Sequence, residues 1–144
     1  MKRSYFLLPL RLTAACVLHR INASGHLLIF KGVLEKFENL LNEYFQSENP
    51  QTIGLPSVAY CAYELNLFAS YCGDLIKKET EKTAQEFIQS KVIDVAKERL
   101  SDPGKSVSEI AHELGFKYPQ HIFRLFKQRV RQSPNEYRML RNPN

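Results

Sequence analysis

Tryptophan is absent from this 144-residue chain, and only three cysteines, six glycines and seven prolines occur in it. So few turn formers leave room for long helices and argue against a turn-dense β-sandwich. Cys16, Cys61 and Cys72 form no CxxC pair and no cysteine–histidine cluster at zinc spacing. This excludes a zinc finger and a disulfide framework, and implies a reducing compartment in which Cys61 and Cys72 are small apolar fillers. No uncharged apolar run reaches the roughly 18 residues a membrane span needs. A Gly-rich phosphate loop, paired carboxylates and a Ser/His/Asp or Cys/His grouping within one module are also missing, and His19, His26, His112 and His121 are scattered. An enzyme is therefore not expected, nor a metal or cofactor. The length suits one domain or two very small ones.

The N-terminus imitates a secretion signal, with Lys2 and Arg3 before an apolar stretch and then Ala14-Ala15-Cys16. Pro9 and Arg11 interrupt that stretch, so a cytoplasmic location is expected.

The net charge of +5 is unevenly placed. Residues 1–104 carry 12 basic and 12 acidic side chains, whereas residues 105–144 carry 8 basic and 3 acidic. A surface of that kind attracts a polyanion through counterion release. The stretch is also rich in apolar residues at helical spacing, which a merely solubilising tail would lack.

Apolar residues recur at three and four positions from Val33 to Phe45, which predicts an amphipathic helix stopping before Pro50. Asn22-Ala23-Ser24-Gly25 reads as a loop. Further helices are expected from Pro56 or Ser57 to about Asn66, from Ala69 to Thr80, from Ala84 to Leu100, over VSEIAHEL, from Pro119 to Val130, and from Ser133-Pro134 to about Leu140. Ser106 with Glu109 three residues later forms a capping box.

The pattern repeats. VAYCAYELN at 58–66 lies over VSEIAHELG at 107–115, and KKETEKTAQEF at 77–87 lies over KQRVRQSPNEY at 127–137. The offset changes from 49 to 50, so the first turn is one residue shorter. Two copies of a helix-turn-helix joined by the 84–100 helix suit a bipartite binder; stacked helical repeats need at least three units. The expected architecture is all-α: an N-terminal extension at 1–32, a helix-turn-helix subdomain at 33–83, a linker helix at 84–101, and a second subdomain at 102–144. The linker would be about 25 Å long, enough for two recognition helices to reach major-groove turns about 34 Å apart.

A recognition helix buries one stripe against its partner helix and offers the other to the groove. In the second copy the outer stripe is Gln120, Phe123, Arg124 and Lys127. Gln pairs with adenine, Arg with guanine, and an apolar ring with a thymine methyl, so Gln120, Phe123 and Arg124 are candidate base readers. Lys117, Lys127, Arg129 and Arg131 are candidate phosphate contacts, which position without specifying. The first copy offers Ser70, Gly73 and Asp74 as base readers and Lys77 and Lys78 as phosphate contacts, a poorer face.

The run IAHELGFKYPQHIFRLFKQRVRQSPNEYR at 110–138 resembles the signature of the AraC/XylS family of bacterial transcription regulators. Ile110, Ala111, Gly115, Phe116, Arg124, Phe126, Lys127, Pro134, Tyr137 and Arg138 occupy the family's places, and Ala62, Leu65, Leu67, Leu75, Ile76, Lys77, Lys78, Glu79 and Thr83 match in the first copy. The resemblance covers about residues 33–140. It implies a domain of about seven helices that binds double-stranded DNA to activate or repress promoters, with RNA polymerase as a candidate second partner. The chain departs from the pattern at Glu81 and Arg131, where the family usually has Gly, at Ile122, where it has Phe or Leu, and at Phe123, where it is often small and polar. Residues 1–32 are too few for the sensor domain most members carry, so no small-molecule ligand is expected. The alternative is a protein-interaction module on the same fold, with Phe123 docking a partner helix, or a truncated regulator with weak DNA affinity.

Overall fold

A computed structural model describes residues 23–143; the signal-like stretch at 1–18 lies outside them. Eight helices follow: α1 (Ala23–Gln46), α2 (Asn49–Ile53), α3 (Val58–Glu64), α4 (Ala69–Thr80), α5 (Ala84–Leu100), α6 (Val107–Glu113), α7 (Pro119–Val130) and α8 (Pro134–Arg141). No strand occurs among the described residues, so the all-α expectation holds.

The structure corrects two local expectations. Ala23, Ser24 and Gly25 are helical, as is the rest of the expected 1–32 extension from Ala23 onward. One glycine costs a helix only about 1 kcal/mol, and the HLLIFK run after Gly25 favours extension of α1. Pro50 does end that helix, but it also begins α2, because its fixed φ suits the first helical turn. This short helix adds one to the expected seven.

Among the described residues the chain forms two units interleaved in sequence: residues 23–41 with 57–86, and residues 42–56 with 87–143. In the first, Phe37 and Leu41 of α1 are fully buried, as are Cys61 of α3 and Cys72 and Ile76 of α4. Burial pushes the Cys61 thiol up to about 12 and Cys72 up to about 11, so both stay protonated apolar fillers at neutral pH. In the second, Ile110, Ala111 and Leu114 meet Ile122 and Phe126 with no side-chain exposure.

The repeat is visible in local geometry. Ser57 accepts the Tyr60 amide at 3.1 Å, and Ser106 accepts that of Glu109 at 3.1 Å, so the first helix of each motif starts on a serine cap. Each ends with a bond reaching back five residues, Leu67 N–H to Ala62 at 2.8 Å and Phe116 N–H to Ala111 at 2.9 Å. Asn66 and Gly115, just beyond those helices, take φ of 58° and 91°. The second helices of the two motifs, α4 and α7, both have 12 residues, and both are followed by a left-handed residue, Glu81 at 60° and Arg131 at 67°. A capping box then opens the next helix: Thr83 with Glu86 before α5, and Ser133 with Glu136 before α8.

Glycine would be relaxed at Glu81, and a carboxylate there opposes the negative end of the helix dipole. Glu81→Gly is therefore expected to stabilise the protein by about 1 kcal/mol, raising the melting temperature by roughly 4 °C in a calorimetric scan.

The carboxyls of Glu109 and Glu136 are held below the usual carboxylate range by the backbone N–H groups of Ser106 and Ser133. A depressed folded-state pKa means stability present above the ordinary carboxylate pKa and lost as pH falls through the folded value. The melting temperature should drop on acidification from about pH 6 to about pH 3, and less steeply in a Glu109→Gln, Glu136→Gln variant.

Two arginines cap helix ends in the second unit. Arg99 donates Nη2 to the Phe45 carbonyl at 2.7 Å and pairs through Nη1 with Glu113 at 3.1 Å, which also takes Lys105 Nζ at 2.7 Å. Arg138 donates Nε to the Leu100 carbonyl at 3.2 Å. Each satisfies a carbonyl that the helix itself leaves free.

Candidate nucleic-acid interface

Each helix-turn-helix buries one stripe of its second helix and leaves the other outward. On α7, Ile122 and Phe126 are buried, Gln120, Arg124 and Lys127 are exposed, and Phe123 is half-buried. The apolar period alone dictates this division, since the buried stripe faces α6. Lys117, Arg129 and Arg131 are exposed as well. Residues 117–131 thus carry five cations and no carboxylate.

Two of these cations have intramolecular partners. Arg129 donates Nη2 to Gln89 Oε1 at 2.6 Å, and the Lys117 ammonium lies 5.5 Å from the centre of the Tyr118 ring. The geometry of α6 and α7 depends on the turn between them. A Cβ at Gly115 would lie 2.7 Å from the Gly54 carbonyl carbon and 2.7 Å from the Pro50 carbonyl oxygen. The Tyr44 hydroxyl donates to the Gly54 carbonyl at 2.7 Å, tethering that segment to α1.

On α4, Cys72, Leu75 and Ile76 are buried, while Ser70, Asp74, Lys77 and Lys78 are exposed. Gly73 is half-buried, with open space where a Cβ would stand. Residues 69–81 carry two cations and three carboxylates, so the two faces differ in sign. Asp74 holds the recognition-helix position that Arg124 holds fifty residues later.

Two exposed aromatics stand at these faces without being singled out by helical periodicity. Phe68 and Tyr118 are the residues immediately before α4 and α7 and are 59% and 50% exposed. Their shared spacing of fifty residues was the available signal. The described residues hold no group of three or more metal-ligating side chains and no helix long and apolar enough to cross a membrane.

Residues 61–139 match a family described as a helix-turn-helix domain. Over 100 residues the chain is 35% identical to the raffinose operon transcriptional regulatory protein RafR of Pediococcus pentosaceus, covering 69% of this chain and 35% of that protein. The chain belongs to the AraC-type helix-turn-helix family. It spans about a third of the length of RafR.

Solved structures share this fold. The C-terminal domain of the two-component response regulator yesN from Fusobacterium nucleatum gives a TM-score of 0.63 at 21% identity, covering 74% of this chain and 98% of that one. An AraC-type transcriptional regulator from Chromobacterium violaceum gives 0.64 at 17% identity, covering 78% and 96%. In this AraC-type chain, α3 with α4 and α6 with α7 are the two helix-turn-helix motifs.

Proposed function

We propose that this DNA-binding module reads a specific duplex sequence through α7 and α4 and regulates transcription in the cytoplasm. Gln120, Phe123 and Arg124 meet base edges from α7; on α4, Ser70 and Asp74 do so, Asp74 by accepting from a cytosine amine, while Gly73 on the same face reads nothing by side chain. Lys77, Lys78, Lys117, Lys127, Arg129 and Arg131 meet phosphates. The two recognition helices take successive major-groove turns, and RNA polymerase is the second partner of such a regulator. The observation that carries this reading is the outward stripe of α7, where exposed Gln120, Arg124 and Lys127 lie within a cationic segment lacking carboxylates.

Selecting bound sequences from random duplexes tests the reading and its geometry together. Two conserved half-sites about one helical turn apart are expected; a single half-site would remove α4 from base reading. Arg124→Ala should weaken binding to the selected duplex by about 1–3 kcal/mol and relax preference at one base position. Unchanged affinity in a fluorescence-anisotropy titration would remove Arg124 from that role.

A further inference from the structure

We infer that Phe68 and Tyr118, the residues that lead into the two recognition helices, each cover a thymine methyl group in the major groove. This rests on the DNA-binding reading above and adds an apolar contact at the start of each helix.

A residue in this place usually carries a short polar side chain, because a serine, threonine or aspartate oxygen accepts an amide proton that the first turn leaves free. The other helices of the duplicated motif follow that rule, although the short α2 does not. Ser57, Ser106 and Ser133 each accept the amide three residues on, at 3.1–3.2 Å. Only at the two recognition helices does the repeat replace the serine by an aromatic ring, and neither Phe68 nor Tyr118 makes a side-chain cap hydrogen bond. Each position therefore forgoes a helix cap and leaves a large ring half-exposed or more. The same departure in both copies, fifty residues apart, points to a shared external contact.

The surroundings of Tyr118 point to that contact. Tyr118 sits between Lys117, whose ammonium is 5.5 Å from the ring centre, and His121, whose ring meets it edge-on at 5.7 Å and 82°. This holds the ring beside a cation in a segment without carboxylates, which suits a polyanion. Both rings are continuous with the outer faces, with Ser70 and Gln120 exposed two residues further along. The N-terminal residues of a recognition helix meet base edges, and the thymine methyl is the apolar group presented there.

The test uses the duplex recovered by selection, with wild-type protein and the Phe68→Ser and Tyr118→Ser variants. Each variant should bind roughly tenfold more weakly, the effect of losing about 60 Å² of apolar cover. Its melting temperature should hold or rise, because serine restores the cap. Replacing individual thymines by deoxyuridine removes only the methyl groups. With wild-type protein, one such change in each half-site should cost a similar factor, and it should cost nothing further in the matching serine variant. Wild-type affinity in both serine variants, or wild-type protein indifferent to every deoxyuridine, would overturn the inference. The second outcome combined with weakened serine variants would assign the rings to the sugar–phosphate backbone instead. Failure of wild-type protein to bind any duplex would remove the DNA-binding reading itself, which separates the two.

Discussion

Gly115→Ala is expected to destabilise the second unit by about 3 kcal/mol or more, enough to unfold much of it near physiological temperature. Two costs combine. The backbone at Gly115 has a φ of 91°, outside the range alanine readily adopts. The added methyl would also lie 2.7 Å from both the Gly54 carbonyl carbon and the Pro50 carbonyl oxygen, and backbone atoms cannot swing aside as a side-chain tip does. Urea unfolding followed by circular dichroism measures the effect. Gly73→Ala is the contrasting change: a Cβ there meets nothing within 4 Å, and a helical alanine gains up to about 1 kcal/mol. If both substitutions cost alike, close approach at Gly115 is not what sets its requirement.

The second large effect is on DNA affinity. With six side chains at phosphates, the logarithm of the binding constant should fall with the logarithm of salt at a slope of about −5. Raising salt from about 50 to about 200 mM then costs roughly 1000-fold in affinity. Lys127→Gln should reduce the slope by about one without changing the preferred sequence. Arg129→Gln should do the same, provided that its 2.6 Å bond to Gln89 yields to a phosphate. A flat salt profile would mean that the cations of residues 117–131 do not face the DNA, and would favour a protein partner for that surface.

Much of this was legible because the decisive signals are local. Apolar spacing placed Ala69–Thr80, Ala84–Leu100 and Pro119–Val130 at their observed bounds. Ser57 and Ser106 marked helix starts through hydrogen bonds reaching three residues along the chain. The outward positions of Gln120 and Arg124 followed from the same 3.6-residue period that buries Ile122 and Phe126. The family's usual glycines at Glu81 and Arg131 gained a physical reason once both proved left-handed.

Other features arise between segments distant in sequence. Arg138 stood out in the sequence only as a position matching the family pattern, yet its Nε caps α5 at Leu100. Arg99 reaches 54 residues back to the Phe45 carbonyl. Neither contact leaves a periodic trace. Helix α2 was missed because Pro50 stops one helix and starts another, and a stop signal alone does not reveal the second role.

The amino-acid pattern by itself determined the helices, their caps, the duplicated motif and the division of each recognition helix into an inner and an outer stripe. All of these depend on interactions within a few residues or on helical period. Tertiary structure decided why Gly115 has no room for a side chain, which arginines are tied to carbonyls and which remain available, and that α2 braces the second turn. Those outcomes depend on which backbone atoms meet across the fold, and no local spacing encodes that.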